Sequence, residues 1–201
     1  MGPAHTTDAA IANKAGVTRV TFYRHFPDEP TLFRACQFHG LQRWPPPDPQ
    51  LWRRLNEPEE RLRLGLKELF AYFGVAGPGL TVLMRDAPLM PPELMAFPGR
   101  GQVLRTMPIV LAEGWRARGR RRELIVAALK HATAVGTWDS LVRQQGLTDD
   151  ESIDLLVAMV MAAAEAKTRS ARKQASNLDA ARRIEPPETA FAQQVGRGPG
   201  I

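Results

Sequence analysis

Cysteine is nearly missing from this 201-residue chain, where Cys36 stands alone. One thiol forms no disulfide within the chain, so packing must hold the fold, as suits a reducing compartment; the expected location is the cytoplasm. Nothing around Cys36 lowers a thiol pKa, which makes it an ordinary helix residue. Also missing is any run of about 18 uncharged apolar residues, so neither a membrane span nor a membrane partner is expected. No secretory leader is visible. The start "MGPAHT" meets the loose N-myristoylation pattern, too short a signal to carry weight. Runs of β-branched residues are scarce, whereas Ala, Leu and Arg abound, and that balance points to an all-α fold.

Catalytic and metal-binding constellations are equally sparse. The four histidines, His5, His25, His39 and His131, share no metal-ligand spacing with Cys or carboxylates. No glycine-rich loop follows a strand. Asp149, Asp150 and Glu151 look like a carboxylate site but sit where a helix starts, and capping explains them better. No enzyme activity, cofactor or metal is therefore expected. The net charge of +6 favours a polyanionic partner, although a solvated arginine-rich surface gives the same sum.

What is present is helical periodicity. Residues 7–43 read as three helices. Thr7 caps the first and Gly16 stops it; Thr18 caps a second that runs to about Phe26. Asp28 caps a third carrying Leu32, Phe33, Cys36 and Phe38. "RWPPPDPQ", residues 43–50, is a stiff non-helical connector. Residues 58–73 repeat Leu62, Leu66, Leu69, Phe70 and Phe73 on one stripe, and "GVAGPG" is expected to end that helix before a short one over 79–86. A helix over 101–118 is kinked or split at Pro108, and Gly119 marks a turn. A long helix is expected over 121–145, with Ile125, Ala128, Leu129, Ala132 and Val135 in register and Gly146 closing it. Thr148 and Glu151 form a capping box for the last helix. That helix is apolar on two sides: Ile153, Leu156, Val157, Val160, Met161 and Ala164 on one, Leu155, Met159, Ala162 and Ala166 on the other. One side fits the chain's own core. The other, with small Ala162 and Ala163 allowing close approach, is read as a homodimer surface, against the alternative of a central helix in a monomer. Residues 185–201 read as a disordered tail.

The densest chemistry lies in "AGVTRVTFYRHF", residues 15–26. A helix, a turn at Gly16 and a second short helix make a helix-turn-helix. Phe22 and Phe26 are expected to point inward and Arg19, Val20, Tyr23 and Arg24 outward. Arg19 and Arg24 suit guanine edges and Val20 a thymine methyl. Thr18, Thr21, Tyr23 and His25 suit phosphate oxygens. The alternative is a helical hairpin with an ordinary polar face.

The string "IANKAGVTRVTFYRHF" resembles the recognition element of tetracycline-repressor (TetR) family transcription regulators, through Ile11, Ala12, Ala15, Gly16, Val17, Thr18, Phe22, Tyr23, His25 and Phe26. "TWDSLVRQQGL", residues 137–147, also looks like a segment found in a subset of that family. The resemblance implies a bacterial, all-α homodimer: a helix-turn-helix domain over 1–43 and a larger helical ligand-binding and dimerisation domain over 51–184. A small ligand would control its binding to double-stranded DNA, most often as a repressor. The expected pocket, for a small apolar or amphipathic ligand, takes Phe70, Met84, Met107, Trp115 and His131, with Met90, Met95 and Phe97 nearby and the Pro-rich stretch 86–100 as a gate; the alternative is that the methionines fill the core and His131 is a core histidine. The expected dimer interface takes Leu155, Met159, Ala162 and Ala163.

Three departures accompany the resemblance. The family carries a further helix ahead of the one at Thr7, and here only "MGPAHT" stands there, so the domain reads as N-terminally truncated and loosely held. Glu29 occupies the place of a phosphate-binding Lys. Asp8 lies where a helix nears the DNA backbone. They motivate a second reading: a dimeric ligand-binding or interaction module of the same fold that no longer binds DNA.

Overall fold

The computed structural model describes residues 2–95 and 100–166. The expectations for Phe97, for residues 167–184 and for the 185–201 tail fall outside them, as does the Met95 side chain. Among the described residues every regular element is a helix. After a 3-10 turn at Pro3–His5 come α1 (Asp8–Ala15), α2 (Arg19–His25) and α3 (Glu29–Arg43). They are followed by α4 (Pro49–Trp52), α5 (Pro58–Asp86), α6 (Pro92–Met95), α7 (Arg100–Leu111), α8 (Gly119–Ala132), α9 (Val135–Trp138) and α10 (Asp149–Glu165). The fold is all-α, as composition and periodicity indicated.

The core belongs to α5 and the helices packed on it. Leu62, Leu66, Leu69, Phe70 and Phe73 are completely buried, the stripe expected from their spacing. Met107, Val110 and Leu111 of α7, Ile125 and Leu129 of α8, and Ile153, Leu156, Val157 and Val160 of α10 close around them. Each such side chain contributes about 1.5–3 kcal/mol when taken out of water. Arg61, itself buried, ties the start of α5 to two loops: its guanidinium donates to the Leu55 carbonyl at 2.6 Å and to the Glu113 carbonyl at 2.8 Å.

Several helix boundaries differ from the sequence reading. α5 does not stop at "GVAGPG" but runs on through Pro78 to Asp86, absorbing the short helix expected over 79–86. The buried stripe continues through Ala76 and Leu80, and a Cβ on Gly77 would lie 2.4 Å from Trp138 Cζ3. Packing against Trp138 outweighs the helix penalty of the glycines, about 1 kcal/mol each. The carbonyl that Pro78 leaves without a donor belongs to Gly74, which is exposed to water.

The helix expected over 121–145 breaks at Thr133. There the Thr133 hydroxyl donates to the Leu129 carbonyl at 2.9 Å and the Thr137 hydroxyl to the His131 carbonyl at 2.7 Å. Side chains thus satisfy the last carbonyls of α8, and Ala134 turns extended before α9. A π-helical turn follows over Asp139–Gln144, ended at Gly146 with φ 74°. α7 ends at Leu111 rather than 118, with Pro108 inside it, and Pro49 and Gln50 of the expected connector begin α4.

Candidate nucleic-acid interface

Local sequence builds the helix-turn-helix. The Thr7 hydroxyl accepts from the Ala10 amide at 3.3 Å and starts α1. Gly16 ends it in the left-handed region at φ 68°, where an L side chain is strained. The Val17 amide reaches back to the Ala12 carbonyl at 3.1 Å and completes the turn. Thr18 then caps α2 by accepting from the Thr21 amide at 3.2 Å.

Phe22 is buried, only 4% exposed, and its ring lies 5.4 Å from that of Phe26. Beneath it Ala12 is the buried residue of α1. Arg19, Val20, Tyr23, Arg24 and His25 are all exposed, Val20 by 80% and Tyr23 by 49%. At 100° per residue, Val20 and Arg24 stand opposite Phe22, while Arg19 and Tyr23 flank it. Tyr23 also meets the Phe22 edge at 5.6 Å. The arrangement is a rod pinned along one side and free along the rest, with two guanidinium forks, a methyl-bearing contact and a phenol outward.

The Thr18 and Thr21 hydroxyls are 3.0 Å apart and hydrogen-bonded to each other, with Thr21 half-buried. Each keeps at least one hydrogen-bonding valence for an outside group. Glu29 is exposed in the first turn of α3. Beside it Asp28 accepts from the Thr31 amide at 2.7 Å, and the bonds from Thr31 hold its carboxyl below the usual carboxylate range. Cys36 is exposed, yet partial desolvation pushes its thiol up, away from a reactive thiolate. Across α1, α2 and α3 together, Ala12 and Phe22 are the buried side chains, and Phe38 is 61% exposed.

One joint missed by the sequence reading connects the arm ahead of α1 to α5. Asp86, at the last turn of α5, is 1% exposed and accepts the Ala4 amide at 3.3 Å and Arg85 Nε at 2.8 Å. Arg85 holds its carboxyl below the ordinary range. Gly2 sits so close that a Cβ there would fall 2.1 Å from Asp86 Oδ2. An acid at the end of an uncharged helical stretch was the one sequence signal, and nothing in it named Gly2 as partner.

Of the expected ligand-pocket residues, Phe70, Met107 and Trp115 share the core, whereas Met84 and His131 lie at the surface. Phe70 and Met107 are fully buried in the core, and Trp115 packs against that core while donating Nε1 to the Leu111 carbonyl at 2.8 Å. Met84 is 51% exposed, and His131 is exposed. Met84 projects away because α5 continues past Pro78 and turns that position outward; His131 is the last full turn of α8 before its break. A cavity of about 400 Å³ lies elsewhere, lined by Arg63, Leu64, Lys67, Asp150, Ile153 and Asp154, with Arg63 and Asp154 paired at 2.6 Å across it.

On α10 the capping box is present: Thr148 accepts from the Glu151 amide at 3.2 Å, and Glu151 accepts from the Thr148 amide at 2.8 Å. Leu155, 52% exposed, and Ala162 face outward, with Met159 and Ala163 half-buried beside them. Among the described residues no helix is long and apolar enough to cross a membrane.

Residues 1–36 match the sequence family described as bacterial regulatory proteins, tetR family. Neither the curated proteins nor the solved structures contain a significant match to the chain.

Proposed function

From the match of residues 1–36 to the tetR family of bacterial regulatory proteins we propose that this chain is a DNA-binding transcription regulator of that type. We assign residues 1–43 to DNA binding and the helices from residue 51 onward to dimerisation and regulation. Arg19, Val20 and Arg24 read base edges in the major groove, and Thr18, Thr21, Tyr23 and His25 take phosphates. The observation that carries the reading is the exposed outer side of α2, capped by Thr18 and pinned by Phe22, inside the matched segment.

The protein acts in the bacterial cytoplasm as a homodimeric repressor and is a binding protein rather than an enzyme. Its two-fold contact uses the outward apolar side of α10, Leu155, Met159, Ala162 and Ala163, beside α8. Two recognition helices then address two half-sites. A small apolar or amphipathic effector works on the core at Phe70, Met107 and Trp115, while Met84 and His131 take no part. Because the arm ahead of α1 is held by Asp86 at the end of α5, an effector that moves α5 pulls on the DNA-reading unit.

The test is binding of the full chain to duplex DNA from its own promoter region, over a range of salt. Tight, sequence-selective binding whose selectivity Arg24→Ala weakens supports the reading; weak binding to every sequence, unaffected by Arg24→Ala, contradicts it. The second reading, a dimeric module without DNA binding, draws on two observations: Ala12 and Phe22 are the buried side chains of α1–α3, and an acid, Glu29, is exposed beside α2.

A further inference from the structure

Five arginines fall within seven residues at the turn into α8: Arg116, Arg118, Arg120, Arg121 and Arg122. All five are exposed. Two have partners: Arg120 pairs with Glu123 at 3.0 Å, and Arg121 donates from Nε to the Ala164 carbonyl. Arg116, Arg118 and Arg122 meet no carboxylate among the described residues.

Folding does not explain this crowding. The guanidinium groups repel one another, and they gather at the positive end of α8, whose first turn holds no acid. By contrast α1, α3, α5 and α10 each carry Asp or Glu in the first turn. Charges placed against the local field, with no carboxylate partner among the described residues for three of them, fit an anion from outside. The residue type narrows its chemistry. All five are Arg and none is Lys, and the planar fork of Arg matches phosphate oxygens two at a time. Between the arginines stand only Ala117 and Gly119, small enough for a backbone to approach and without groups that read base edges.

The patch stands apart from α2. Gly114, just before it, packs on Pro58, and Arg61 holds the Glu113 carbonyl, so this turn lies at the N-terminal end of α5. The arm leading into the helix-turn-helix is fastened at the other end, on Asp86. The 29 residues of α5 separate those ends by about 43 Å.

We propose that the arginines at the α7–α8 turn form a second DNA-binding surface, which grips the phosphate backbone of another duplex segment without reading its sequence. The site does not require α2 to recognise an operator, and the experiment keeps the two apart. The full chain carrying Arg19→Ala and Arg24→Ala is titrated with duplex DNA of arbitrary sequence by fluorescence anisotropy across a range of NaCl. It is expected to keep binding DNA in a steeply salt-dependent manner. Adding Arg116→Gln, Arg118→Gln and Arg122→Gln is expected to flatten the plot of log K against log salt by up to about 2.7, or 0.9 for each lost phosphate contact. The corresponding Arg→Lys set restores most of that slope, since it keeps the charge. Circular dichroism checks that each variant remains helical. An α2-crippled chain that no longer binds DNA, or a Gln set with an unchanged slope, overturns the proposal. So does a Gln set that keeps its DNA slope but loses adsorption to phosphatidylserine vesicles, which would assign the patch to a membrane surface. Loss of operator selectivity alone, in the Arg19→Ala and Arg24→Ala chain, bears only on α2.

Discussion

Arg24 is the residue from which the DNA-reading account is most easily disturbed. It is exposed opposite the buried Phe22, so truncation removes a fork without touching the packing. Arg24→Ala is expected to cost about 1–3 kcal/mol of discrimination between the operator and a single-base variant, read by competition binding. Gly77 tests the core instead. A methyl there meets the Trp138 ring at 2.4 Å, and Gly77→Ala should destabilise by about 1–3 kcal/mol in urea unfolding, despite its higher helix propensity. Asp86 gives a pH signature. Its folded pKa is held below the ordinary 3.8, first by Arg85, so its stabilisation is fully present above that value and fades as pH falls through the lower folded one. Unfolding profiles of the native chain and Asp86→Asn should therefore differ at neutral pH and converge in acid. A constant difference at every pH would show that the carboxylate charge is irrelevant.

At the scale of the element, local chemistry was legible and tertiary choices were not. Thr7, Thr18, Asp28 and Thr148 all cap the helices their positions suggested, because capping is decided within four residues. The Gly16 turn was equally plain, since a left-handed residue needs glycine there. α5 and α8 were misread for opposite reasons. Gly77 and Pro78 look like a stop until Trp138 is seen lying against Gly77, and the break at Thr133 depends on hydroxyls finding carbonyls. Of the pocket candidates, spacing could mark Phe70 and Met107 as interior but could not tell that Met84 and His131 turn outward. Thr148→Ala is expected to remove about 1 kcal/mol of stability, because the hydroxyl that accepts the Glu151 amide is lost while the backbone amide of that position keeps its bond to the Glu151 carboxylate. Amide exchange at the first turn of α10 should accelerate in that variant; an unchanged rate would mean that packing alone holds the end.

Among the described residues, the larger helices share one dense core while α1–α3 have little of their own, so the helix-turn-helix is expected to open first. Dimerisation through α10 would give the molecule its two-fold reading of DNA. Ala162→Glu places a charge on the outward apolar side and should yield monomers by sedimentation equilibrium with an unchanged helical spectrum. Dimers that persist would move the contact elsewhere. The most direct measurement of the central claim, that α2 carries base-reading groups on its free side, is the binding of full-length protein to its own promoter DNA and to a shuffled duplex, each with and without Arg24→Ala. The account predicts that the substitution cuts the preference for the promoter by about 1–3 kcal/mol while the weaker, salt-sensitive binding to shuffled DNA survives. An equal preference in both proteins would contradict it.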